Sequence, residues 1–104
     1  MVFAAGACPI DADGVVVSGG LEAQAAKAVE NLFTALSAAG AAAEDVLKTT
    51  VYVASSEQPD LVHAWDVIAA AFAPARPPST LLGVAVLGYA GQLVEIEAIA
   101  LAPA

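Results

Sequence analysis

The sequence predicts an α+β sandwich, one β-sheet carrying two helices on one face. Three observations lead there. Segments 21–40 and 58–72 repeat apolar residues at helical spacing. TTVYVA (49–54) is rich in β-branched residues and holds a tyrosine, the composition of a strand. The last quarter reads as two more strands around a GYAG turn (88–91). The coarse order is β–(β)–α–β–α–β–β, and two helices on the same side of one sheet give a two-layer chain.

Met1–Ala5 is a short apolar run that Gly6 interrupts. CPIDADG (8–14) has turn chemistry in Pro9, Asp11, Asp13 and Gly14. Val15–Val17 is expected as a brief strand. In the first helix Ala25, Val29, Leu32 and Leu36 share a face, Glu22 lies near the start, and Gly40 suits the C-terminal cap. AAAEDVLK (41–48) leads to TTVYVA. SSEQPD (55–60) is a cap-rich turn into the second helix, where Leu61, Trp65, Ile68 and Phe72 form the apolar stripe. APARPP (73–78) ends it.

The uncharged run Pro77–Val94 is long enough to raise the question of a membrane span. Pro78, Gly83, Gly88, Gly91 and Gln92 within it instead read as a hairpin, Thr80–Leu87 against Gln92–Leu101. The first arm is apolar on both sides, so each side needs a cover. Two helices supply one cover, and a second copy of the chain is expected to supply the other.

The bulk numbers agree. A chain of 104 residues is one domain. Its residues are 60% apolar, against a usual ~45–50%, which points to apolar surface patches or self-assembly. Net charge is −8, and the basic residues are Lys27, Lys48 and Arg76 alone. Three cations make no basic patch, so neither a nucleic-acid backbone nor an anionic membrane surface is an expected partner. Cys8 is the only cysteine, so no internal disulfide is expected. With no basic leader after Met1, the expectation is a cytoplasmic protein.

Glu95 and Glu97 lie in LVEIEAIAL (93–101). In a strand they share one face, opposite Val94, Ile96 and Ala98. Two carboxylates ~7 Å apart on an apolar strand suit a general base, or else mark a solvated sheet edge. Cys8 has no basic neighbour and reads as a small buried hydrophobe. His63, the sole histidine, sits off the apolar stripe and has no second ligand beside it, so no metal site is expected. Trp65 reads as core, and Tyr52 as packing or pocket lining. Lys48 reads as capping the start of the strand or pairing with an acid, or else as a solvated surface residue.

AAGACPIDADG, EAQAAKAVENLFTALSAAGAAAEDVLKTTVYVA and the closing VEIEAIA together resemble the RidA/YjgF family of enamine/imine deaminases, across almost the whole chain. The resemblance implies a chorismate-mutase-like α+β fold and a homotrimer with clefts between subunits. It also implies cofactor-free hydrolysis of reactive enamines or imines to 2-oxo acids and ammonia, with a small molecule as partner. In the family an arginine clamps the substrate carboxylate and a glutamate positions water. Glu95 matches that glutamate.

Other positions depart from the family pattern. Aligned backward from Leu87 without gaps, the family's arginine falls on Ser79 and its serine on Thr80. Arg76 lies three residues upstream. Moving it into register takes an odd shift, which would turn every strand side chain to the other face. Where deaminase members read S-G-Q, this chain reads Ala5-Gly6-Ala7, and only Gly6 matches. Family members carry a further strand before the position of Met1, so the first family strand is expected to be missing. The expected site is therefore Glu95 as the catalytic group, with Gly6, Ser79, Thr80 and Arg76 around the substrate. A non-catalytic trimer that binds a small metabolite in the same cleft is the alternative. A ribonuclease is disfavoured by the net charge.

Overall fold

The structure is a computed structural model and describes residues 1–103. Its elements are β1 (Val2–Ala7), α1 (Gly20–Ala38), a 3-10 turn (Ala43–Asp45), β2 (Val46–Val53), α2 (Gln58–Phe72), β3 (Ser79–Gly83) and β4 (Val94–Ala100). The four strands form one sheet in the order β1-β4-β2-β3. β4 runs antiparallel to β1 and β2, and β3 runs parallel to β2. The expected α+β class with one mixed sheet and two helices is what the chain adopts.

The core follows from strand alternation. Val94, Ile96, Ala98 and Ala100 of β4 are buried, and their register partners in β2 include Val51 and Val53. These residues meet Ala25, Ala28, Val29, Leu32 and Leu36 of α1, and Ala64, Ile68 and Phe72 of α2. Phe33 and Phe72 join the helices edge to face, with ring centroids 5.0 Å apart. α1 ends as expected: Gly40 has φ 82°, and the N–H of Ala41 reaches back to the Leu36 carbonyl.

Three local expectations need correction. Thr80–Leu87 and Gln92–Leu101 do not form a hairpin: β3 stops at Gly83, β4 starts at Val94, and β2 lies between them. The reason lies in α2. A helix between two strands carries the chain back to the starting end of the sheet, so β3 lies parallel to β2 and takes its free edge. β4, with its regular buried alternation, takes the central slot. Val15–Val17 makes only a bridge, Ile10 with Val16. Gly6 does not end the first strand; β1 runs through it, with the register shifting between Ala4 and Ala7.

Among the described residues none covers the sheet face opposite the helices. Phe3 is 73% exposed there and Leu82, of β3, 44%. Among the described residues no helix is long and apolar enough to cross a membrane.

Candidate functional site on the open sheet face

The open face is laid out by register. Glu95 pairs with Tyr52, and Tyr52 with Leu82, making one row across β4, β2 and β3. Glu97, Thr50 and Thr80 make the next row. Ile99 and Lys48 follow, with Phe3 beside Ile99 on β1. Partners in register share a face, so these side chains surround one shallow surface. A depression in it is lined by Phe3, Ala5, Lys48, Thr50, Glu97 and Ile99.

Glu95 is the most constrained group here. Gln92 Nε2 donates to its Oε1 at 3.2 Å, and the Cys8 thiol donates to the same oxygen at 3.3 Å. Its side chain passes over Gly6: a methyl group on Gly6 would lie 2.6 Å from Glu95 Cδ. No real Cβ sits that close, so glycine is what makes room for the carboxylate. The surroundings of Cys8 disfavour its thiolate. Burial first, and then the hydrogen bond and negative charge of Glu95, push its pKa above the ordinary 9.0. Cys8 is thus a protonated donor rather than a nucleophile. Glu97 accepts a 2.6 Å hydrogen bond from the Tyr52 hydroxyl, and that bond raises the pKa of the phenol.

Two polar side chains of α1 hold the surrounding loops. Gln24, 4% exposed, donates to the Gly91 carbonyl (3.0 Å) and accepts from the Leu93 N–H (2.7 Å). Asn31 donates to the carbonyls of Cys8 (2.8 Å) and Ile10 (2.9 Å). Seven residues apart, they lie two turns along one helix face. One places the turn before Glu95, and the other places the loop that carries Cys8.

The residues expected around the substrate fall into two groups. Gly6 and Glu95 are in contact, and Thr80 lies on the same face two strands from Glu97. Ser79 and Arg76 lie elsewhere. They line a depression on the helix side with Trp65, Ile68, Phe72 and Pro77. The Ser79 hydroxyl accepts a bond from Thr49 and donates one to the Pro77 carbonyl, so it is committed to the start of β3. His63 is exposed and lies 3.6 Å from Glu22. No group of histidine, cysteine and carboxylate side chains among the described residues is arranged to hold a metal ion.

Cys8 and Gln92 were not among the expected site residues. Cys8 is half-buried rather than a plain core hydrophobe, and its thiol meets a carboxylate 87 residues away. Gln92 carried a usable signal: a lone amide three residues before Glu95, in a turn that needs few polar side chains.

Comparison with known proteins shows the family of the chain. The family model described as Endoribonuclease L-PSP matches residues 1–102. A RutC family protein of Pyrococcus horikoshii is 36% identical over 100 residues, covering 95% of this chain and 77% of that protein. A solved Mycobacterium tuberculosis member of the YjgF/YER057c/UK114 family superposes with a TM-score of 0.76 at 33% identity, covering 92% of this chain and 74% of that one. RidA of an Antarctic Psychrobacter superposes with a TM-score of 0.83 at 28% identity, covering 94% and 77%. The chain belongs to the RidA/YjgF family. Within that RidA/YjgF fold, Gln24 and Asn31 account physically for the Q and N of the EAQ…N stretch in the α1 sequence.

Proposed function

We propose that this chain is a RidA-like hydrolase that converts reactive imines and their enamine tautomers to 2-oxo acids and ammonia. The observation that carries the reading is the Glu95 carboxylate, on the open face, with one oxygen held and the other over Gly6. Glu95 takes a proton from water as the oxygen attacks the imine carbon. Glu95 passes that proton to the imine nitrogen, giving a carbinolamine. It then carries the hydroxyl proton of the carbinolamine to the same nitrogen, and as the C–N bond breaks the carbonyl forms and ammonia leaves. An enamine reaches this path after protonation at carbon. Family membership supports the reaction class, and no cofactor enters the balance.

The active assembly is a homotrimer whose open sheet faces turn inward, with clefts between subunits. The exposure of Phe3 and Leu82 on that face supports it. Thr80, on the same face, lines the cleft. Arg76 and Ser79 point this proposal away from the family's carboxylate clamp, because they share the helix-side depression. Their placement favours a second reading, a trimer that binds a small metabolite without turning it over.

An amino-acid oxidase supplying 2-imino acids, with semicarbazide trapping the imine that survives, separates the two. Faster imine loss with this protein, abolished by Glu95→Gln, is the expected result. No acceleration by a confirmed trimer leaves the binding reading. RNA cleavage is opposed by the −8 net charge.

A further inference from the structure

Gln92 is almost fully buried (3% exposed) although it sits in a surface turn. Its amide is used at both ends. Oε1 accepts the Tyr89 N–H at 3.1 Å, while Nε2 donates to the Val94 carbonyl at 3.0 Å and to Glu95 Oε1 at 3.2 Å. The Tyr89 N–H can only donate, so it settles which end of the amide is oxygen and directs the NH₂ group at Glu95. Gln24 anchors the backbone on either side, at Gly91 and Leu93, so α1 sets the position of the whole turn.

The second donor to Glu95, the Cys8 thiol, reaches the same oxygen. Glu95 Oε2 accepts no hydrogen bond from the described residues and lies over the bare Cα of Gly6. The last torsion of a glutamate is broad and nearly two-fold, so an unheld carboxylate would exchange its oxygens freely. Two donors on one oxygen remove that freedom. Burial and Glu95 keep the thiol protonated, so this donor persists at neutral pH.

We propose that Gln92 is a positioning residue for Glu95. Together with Cys8 it holds Oε1, so that Oε2 alone faces the attacking water. This inference rests on reading Glu95 as the base. Gln92 touches no reacting atom. It spends its hydrogen bonds on aiming the group that does, and misaim by a fraction of an ångström is costly in catalysis.

Steady-state imine hydrolysis by Gln92→Leu, Cys8→Ala and Cys8→Ser tests it, with Glu95→Gln as the control. Leucine keeps the volume of Gln92 and removes the donor. Expected for Gln92→Leu is a kcat lower by roughly tenfold, with KM within about twofold of wild type. Cys8→Ala is expected to lower kcat about threefold, and Cys8→Ser, which restores a donor, to recover it. An unchanged kcat in Gln92→Leu, or a loss carried by KM, overturns the proposal. If Gln92→Leu fails to fold, the serine rescue decides: recovery supports the proposal, and equal rates for alanine and serine overturn it.

If wild type hydrolyses no imine, or Glu95→Gln retains full turnover, the functional reading fails on its own account. Crystal structures then decide the positioning claim. A Glu95 turned away from Gly6 in Gln92→Leu, or in Cys8→Ala where Gln92→Leu does not fold, supports it. A carboxylate still over Gly6 overturns it.

Discussion

Glu95 and Gly6 are 89 residues apart in the chain and in contact in the fold, the carboxylate of one occupying the space a side chain on the other would need. Neighbouring strands β4 and β1 make the contact, and the register shift in β1 falls at the same point. A bulge that re-aims a strand beside a functional group is a recurrent device. Here it lets backbone, rather than side chain, form the floor under the carboxylate.

Gly6→Ala is therefore expected to displace Glu95 and lower kcat by about 10²-fold, the usual consequence of moving a reacting group by an ångström. The φ of Gly6 is not in the left-handed region, so alanine brings no backbone strain and stability falls little. Imine turnover and the thermal midpoint, measured side by side, check both halves.

Glu95→Ala removes the proposed base and is expected to cut hydrolysis by at least about 10²-fold, within the range for general-base catalysis. The oligomer and the far-ultraviolet circular dichroism are expected to stay unchanged. Undiminished turnover would remove Glu95 from the mechanism.

The Cys8 thiol resists ionisation because of burial and, after that, Glu95. Alkylation by a neutral reagent, followed against pH, is expected to show an inflection above 9.0, moving down in Glu95→Gln as the nearby charge goes. The sign for stability follows. A group whose folded pKa is raised contributes fully below its unfolded pKa, and that contribution is lost as pH rises through the folded value. Urea midpoints are expected to fall on the alkaline side, and less so in Cys8→Ala.

Gln24→Ala leaves the Leu93 N–H and the Gly91 carbonyl without partners beneath α1. A cost of about 1–3 kcal/mol is expected, the range for an orphaned buried polar group. Chemical denaturation measures it. Since the same turn carries Gln92, kcat is expected to drop with stability.

Light scattering on a sizing column is expected to return three times the chain mass. A monomer would leave Phe3 and Leu82 bare on an otherwise uncovered sheet. A monodisperse monomer would contradict the trimer.

Much of this was written into local sequence. The 58–72 helix and the alternation of VEIEAIA are periodicities, and Gly40 is a local helix stop; short-range sterics and burial enforce all three. Family resemblance carried Glu95 and Gly6 as a pair, without saying that they touch. Other features depended on long-range pairing, which no local pattern encodes. β3 looked like a hairpin partner for β4 because both are apolar and a glycine-rich turn separates them, yet α2 delivers it to the far side of β2. That choice sets which side chains form rows on the open face. The β3 register with β2 bonds Ser79 to Thr49, and Ser79 and Arg76 share the helix-side depression. Only the folded chain brings Cys8 to the Glu95 oxygen that Gln92 also holds, because two segments distant in sequence must first be placed by α1 and the sheet.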